Sequence, residues 1–178
     1  VVIPGKSLNE LNKILDDSTD LVNVALTSQQ VLFKTKEVLF FSRLLEGNYP
    51  DTSRLIPDDY QTNVTINGKS LLQAIDRASL LAREDRNNVV RFETVGQNTV
   101  EISSNSPEIG KVKEEITVEN LEGDELKISF SAKYMMDALK AIDGQDVMIQ
   151  FTGTMKPFIL RSIHDDAILQ LILPVRTY

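Results

Sequence analysis

The chain has 178 residues, 42% of them hydrophobic and 25% charged, with a formal net charge of −7 and no cysteine. This is the make-up of an ordinary soluble protein, long enough for one large domain or two small ones with real cores. Thiol nucleophiles, disulfides and cysteine-ligated zinc are excluded, and the acidic balance argues against wholesale attraction to nucleic acid while leaving room for a local basic stripe.

The chain begins on "VVIP" with no methionine and no lead-in, so a fragment of a longer protein is expected. "IPGKSLNELNKILDD" then predicts a helix, with Leu8, Leu11, Ile14 and Leu15 on one side. Ser7 followed three residues later by Glu10 reads as a capping box. "LVNVALTSQQVLFKT" predicts a hairpin, two alternating runs around a polar turn, and "EVLFFSRLLEG" a further strand. "PDTSRLIPDDYQT" is rich in turn formers and reads as a linker.

The next segment, "INGKSLLQAIDRASL", carries the same Gly-Lys-Ser triplet as the first. That triplet ends the phosphate-binding pattern G-x-x-x-x-G-K-[ST], whose glycines let backbone N–H groups close around phosphates. The required earlier glycine is Asn63 here, and for Gly5 it would precede the first residue. A cap explains both triplets better: Ser70 stands three residues before Gln73, and Leu71, Leu72, Ile75 and Ala78 follow at helical spacing. "NNVVRFETVGQNTVEISS" predicts a hairpin turning at Gly96, and "GKVKEEITVENLEG" the strand that closes the unit. A third helix follows in "FSAKYMMDALKAIDG", a third hairpin in "DVMIQFTGTMKPFILRS" around Gly153, and a last strand in "AILQLILPVRTY".

These elements are one pattern used three times: strand, helix, strand, strand, strand. Lys6, Lys69 and Lys133 align at the helix starts, and "LEG" ends both of the first two units. One helix cannot cover both faces of such a sheet, so units should pair across their apolar helix faces. The expected fold is α+β, with helices on one face of antiparallel sheets. Residues 58–123 and 124–178 form a complete pair, and residues 1–57 a unit without its partner. The pairs Asp16-Asp17, Asp58-Asp59 and Asp165-Asp166 fall in predicted turns, which short acidic residues favour. The polar helix faces carry Lys6 and Lys13, Lys69 and Arg77, and Lys133 and Lys140. They read either as solvated faces of mixed charge or as a weak basic lining that faces phosphates without reading bases.

The repeat, the linker and the C-terminus together resemble the bacterial sliding clamp, the β subunit of the replicative DNA polymerase. The motifs are "SRLLEGNYPDTSRLIP", "SPEIGKVKEEI", "ISFSAKYMMDAL" and "LILPVRTY", and the resemblance covers the whole chain. It implies a DNA-clamp fold, with three domains of two such units in every protomer, closed into a ring with helices inside and sheets outside. Residues 1–57 would be the second half of the middle domain and 58–178 the last domain. The implied function is a processivity factor, without chemistry of its own, that encircles duplex DNA regardless of sequence and tethers the polymerase. A ring holds DNA topologically and needs little affinity, which suits the acidic charge, and tethering raises the polymerase's effective concentration.

Site residues follow from the same resemblance. Lys6 matches a position where the family approaches DNA, and Lys13, Lys69, Arg77, Lys133 and Lys140 join it by helix phase. An apolar groove that takes a short glutamine–leucine–phenylalanine peptide from polymerases, the clamp loader and repair proteins would use Pro50, Arg54 and Leu55 from the linker. Tyr134, Pro157, Leu171, Leu173, Pro174, Val175 and Arg176 would join them from the last domain. The family's groove also uses a segment upstream of residue 1, so the groove here would be incomplete. Read without the family, Leu171 and Leu173 are alternate residues of a strand facing the core. The head-to-tail contact that makes a homodimeric ring would use Leu80, Leu81, Glu108, Glu114 and Glu115, and a chain lacking the first domain should not close a ring unaided. No catalytic residue, cofactor or metal is expected, nor a membrane, since no apolar run approaches spanning length; the setting is cytoplasmic. Rival readings are weaker. The only histidine, His164, sits in the turn "SIHDD" and no G-x-S-x-G elbow presents a nucleophile, while a peptide-binding module without DNA would not need the basic helix faces.

Overall fold

The computed structural model describes residues 1–16, 21–49, 51–82, 88–142, 146–165 and 167–176, with backbone alone at 53 and 54. The chain divides into two compact units, Val1–Thr52 and Ser53–Tyr178.

The first unit is one helix and one meander. Helix α1 spans Gly5–Ile14, and strands β1 (Asn23–Leu26), β2 (Gln30–Lys34) and β3 (Leu39–Arg43) pair antiparallel in that order. Both turns are built the same way. The Thr27 hydroxyl accepts from the amides of Gln29 (3.3 Å) and Gln30 (3.0 Å), and the Thr35 hydroxyl from those of Glu37 (3.3 Å) and Val38 (3.0 Å). A threonine thus substitutes for the glycine that tight hairpins usually need. Register puts Val24, Leu26, Val31, Phe33, Phe40 and Ser42 on one face. Ser42 donates to the Ser7 hydroxyl of α1 at 2.8 Å, which sets the helix over that face. Val31 and Leu11 are buried there, but Val24 and Leu26 stay exposed, as do Leu39 and Phe41 on the opposite face.

The second unit holds the continuous core. Its strands are β4 (Thr62–Asn67), β5 (Val89–Val95), β6 (Thr99–Ser106), β7 (Gly110–Thr117), β8 (Asn120–Gly123), β9 (Lys127–Ser131), β10 (Asp146–Phe151), β11 (Phe158–Ser162) and β12 (Leu169–Ile172). Helix α2 is Gly68–Ala82, α3 is Ala132–Ala141, and a 3₁₀ turn covers Thr52–Leu55. The strands form two antiparallel sheets, ordered β12-β11-β10-β4-β8 and β7-β6-β5-β9. The repeats therefore do not stand side by side. The opening strand of each, β4 and β9, pairs with the hairpin of the other: Thr62–Asn67 against Asp146–Phe151, and Lys127–Ser131 against Val89–Glu93. The closing segment "GKVKEEITVENLEG" is also split. β7 extends one sheet and β8 the other, hinged at Val118, which is buried.

Helices α2 and α3 pack together, with Leu71, Ala74, Ile75, Ala78, Met135 and Leu139 turned into the core. Four buried phenylalanines run in a chain from sheet to sheet: Phe92–Phe151 at 5.4 Å between centroids, Phe151–Phe158 at 4.9 Å and Phe158–Phe130 at 5.6 Å. All three pairs are tilted, the arrangement ring quadrupoles favour. Gly123 has φ +102, and a Cβ there would lie 1.9 Å from the Gln61 carbonyl oxygen, so β8 can close against the start of β4 only with glycine at this point.

The serine caps are corrected. Helix α2 starts at Gly68 and its cap is Asn67, whose side-chain oxygen accepts from the Ser70 amide at 3.0 Å and the Ser70 hydroxyl at 3.1 Å. Helix α1 starts at Gly5 after Pro4, with no side-chain cap, and Ser7 is engaged by Ser42 instead. Both glycines stand at the first helical position and both serines at the third. Asparagine caps as well as serine does, and proline presets the entry dihedral.

Candidate partner groove, helix faces and strand edge

The groove forms where the chain changes sheets near its C-terminus. Through Ile172 the chain is an edge strand on β11. Pro174 then bridges to Phe130 on β9, and the Val175 amide donates to the Ser129 carbonyl at 2.7 Å. The crossing turns Ile172 into the core and leaves Leu173 65% exposed, a large apolar side chain held in solvent by fixed backbone. Beside it Tyr134 projects from α3, 63% exposed. Between them lies a groove of about 450 Å³ with walls from Ser131, Tyr134, Ala138, Leu171, Leu173 and Val175. Asp137 and Gln170 also line it. Pockets for short peptides have this character, mainly apolar with a few polar groups that fix register.

The structure thus brings together Tyr134, Leu171, Leu173, Pro174 and Val175 from the expected set. Pro157 is half-buried in the β10–β11 turn, where its carbonyl accepts from the Thr152 hydroxyl at 3.0 Å, and it does not line this groove. Arg176 lines the adjoining depression instead. Leu55 is exposed on the 3₁₀ turn and is not on the groove wall. Pro50, the Arg54 side chain and the Thr177-Tyr178 tail lie outside the described residues, as do Asp17 and Asp166. Sequence reasoning missed Asp137 and Ala138, although they follow Tyr134 at helical spacings of three and four and so share its face.

The basic helix positions differ in how free they are. Lys6 on α1, Lys69 on α2 and Lys140 on α3 are exposed. Lys13 pairs with Glu10 at 2.8 Å. Lys133 reaches Asp137 at 3.4 Å and lies 5.4 Å over the Tyr134 ring. Arg77 is tied to Glu114 on β7 by two hydrogen bonds, one from Nε at 2.9 Å. Donating to Glu114 raises the Arg77 guanidinium above its ordinary value, and the same bond holds the Glu114 carboxyl below the usual carboxylate range. Two residues expected on different surfaces, one facing DNA and one at the ring contact, are therefore bound to each other.

Strand β7 is the free edge of its sheet. Val112, Glu114 and Ile116 face the helices, while Lys111, Lys113 and Glu115 point outward. Lys113 crosses to Glu101 at 2.8 Å, and its hydrogen bond lowers the Glu101 carboxyl. Leu80 near the end of α2 is exposed and Leu81 half-buried, and Glu108 and Glu115 are exposed. An exposed strand edge beside an exposed leucine suits strand-edge association, and charges along it restrain indiscriminate pairing. His164 is exposed, its amide donating to the Ser162 hydroxyl at 3.1 Å. Among the described residues no cluster of three His, Cys, Asp or Glu is placed to hold a metal, and no helix is long and apolar enough to cross a membrane.

Comparison with known proteins gives a consistent family. Residues 53–176 match the model for the C-terminal domain of the DNA polymerase III β chain, and residues 1–51 that for its central domain. The chain is 62% identical over all its 178 residues to the β sliding clamp of Bacillus subtilis and 57% identical to that of Staphylococcus aureus, covering 47% of each. It superposes on the crystal structure of the Bacillus subtilis DNA polymerase sliding clamp with a TM-score of 0.91, covering all of this chain and 47% of that one. The Streptococcus pneumoniae DNA polymerase III β chain, 42% identical, gives a TM-score of 0.91 over 99% of this chain and 47% of its own length. The chain thus spans about half the length of the relatives it matches.

Proposed function

From its membership of the family of bacterial DNA polymerase III β subunits, the sliding clamps, to which this α+β chain belongs in sequence and fold, we propose that it is part of a processivity factor. Residues 1–57 are the second half of a middle domain and 58–178 a last domain. The assembled homodimeric ring encircles duplex DNA in the cytoplasm and performs no chemistry. The groove between α3 and the C-terminal crossing takes short peptides from the polymerase, the clamp loader and repair proteins. Lys6, Lys69 and Lys140 are the cations best placed to meet phosphates, being exposed and without an ion pair among the described residues. Lys13, Lys133 and Arg77 contribute less, since each already has a carboxylate partner.

The observation that carries this reading is the groove itself, with Leu173 and Tyr134 held in solvent by folded backbone on either side of one apolar depression. Burying a leucine side chain is worth about 2 kcal/mol, and what marks this place is not one exposed leucine but several apolar side chains gathered around one depression. Calorimetric titration with a Gln-Leu-Ser-Leu-Phe peptide tests the reading. Binding is expected, with a loss of at least about tenfold in Leu173→Ala. Equal binding by wild type and variant would remove the groove from the proposal. Sedimentation of this chain alone is expected to give no closed ring.

A further inference from the structure

We infer that the groove does not end at Val175 but opens onto a cationic floor, which takes acidic residues flanking the apolar anchors of a docked peptide. The inference rests on the reading of the groove as a peptide site and names the chemistry of the peptide beyond its anchors. Val175 lines two depressions, the groove and a neighbour of about 430 Å³. The neighbour is walled by Arg91 of β5, Lys127 and Ser129 of β9, Thr154 and Met155 of the β10–β11 turn, and Arg176. Three of these side chains are cations and none is an acid, on a chain whose net charge is −7, so composition does not explain the cluster.

The cations are available. Among the described residues neither Arg91 nor Arg176 has a carboxylate partner. Lys127 is held by Glu93 at 2.8 Å but keeps 54% of its side chain exposed. Arg91 stands opposite Ser103 on one side and Ser129 on the other, on the outer face of its sheet, so no neighbouring strand supplies a countercharge directly across from it. Leu173 and Arg176 are three residues apart along the crossing, about 10 Å if extended, so a peptide anchored at Leu173 needs only three or four more residues to reach the floor. Carboxylate side chains match this geometry. Guanidinium groups take them in bidentate fashion, and the exposed thioether of Met155 gives the flanking chain an apolar wall that a phosphate strand would leave unused.

The test uses the whole chain and three peptides: Gln-Leu-Ser-Leu-Phe preceded by four serines, preceded by four glutamates, or followed by four glutamates. Titrations are run at low and at raised salt. One glutamate-flanked peptide is expected to bind roughly tenfold more tightly than the serine-flanked one at low salt, from two or three partly exposed ion pairs. That advantage should vanish in Arg91→Glu, shrink in Arg176→Gln and fade with salt, while Leu173→Ala weakens all three peptides alike. Equal binding of all three peptides to wild type would overturn the inference and leave the groove standing. So would an advantage that survives both arginine substitutions in variants whose thermal unfolding matches wild type. Failure of every peptide to bind would remove the groove and the inference with it. A thymidine oligonucleotide that binds wild type but not Arg91→Glu, without any glutamate advantage, would assign the floor to phosphates and overturn the peptide assignment.

Discussion

The two units of this chain use the same local pattern and reach different ends. In the second, two helices meet and two sheets share a core joined by four phenylalanine rings. In the first, one helix lies on three strands, and Val24, Leu26, Leu39 and Phe41 stay exposed. The strands are no less apolar; among the described residues a single helix is their cover. A helix about 10 Å across covers only part of a sheet face, and the remainder needs another repeat. In the second unit that need is met by exchange, since each repeat lends its opening strand to the other's hairpin.

Separating the units is the harshest way to press this comparison. Residues 53–178 alone are expected to unfold in one cooperative transition by circular dichroism, and residues 1–52 alone to show none. A cooperative melt of the shorter piece would mean that three strands and one helix suffice. Next in size, Phe158→Ala removes a ring that touches two others and should cost about 3–5 kcal/mol in denaturant unfolding of the second unit. Val31→Ala, at the buried centre of the first, should cost the second unit nothing. Helix starts sharpen the comparison further. Asn67→Ala should destabilise the second unit by about 1 kcal/mol, whereas Ser70→Ala, which leaves the Asn67 oxygen its amide donor, should cost a few tenths. Comparable losses would restore Ser70 to the capping role.

The smallest effect is electrostatic. Glu114 has a folded-state carboxyl below its unfolded value, so its bond to Arg77 stabilises fully above the unfolded carboxylate range and is lost as pH falls through the lower folded value. Wild type should therefore melt slightly above Glu114→Gln at pH 7, and the difference should close in acid. An undiminished difference at pH 3 would mean that the charge of Glu114 is not what matters. Both side chains are partly exposed, so salt should narrow the gap as well.

Much of this architecture was legible in the residues. Helical spacing located α1, α2 and α3, and alternation around Gly96 and Gly153 located two hairpins, because these signals are local. What alternation could not give is pairing. Nothing near Thr62–Asn67 says that its partner is Asp146–Phe151, since hydrophobic patterning fixes which face is buried and not which strand lies alongside. The caps were misplaced because the helices begin three positions earlier, after Asn67, which caps α2, and after Pro4, which offers no side-chain cap. In the groove, the spacing of Tyr134, Asp137 and Ala138 was readable as one helix face. The exposure of Leu173 was not, because it follows from the Pro174 bridge to β9, a contact between segments far apart in the chain.

The exchange of opening strands also bears on when the second unit can form during synthesis. Strand β4 is made early, yet its neighbour on one side is β10, more than 80 residues later by register, as Thr62 opposite Phe151 requires. Few of its stabilising contacts are local, and such topologies fold slowly because long loops must close before the sheet stabilises them. On a ribosome adding about 5–20 residues per second, β4 waits several seconds for β10, whereas α2 meets β5, β6 and β7 sooner. A chaperone that shields Val64 and Ile66 over that interval would act on a strand that, once folded, is among the most buried in the molecule.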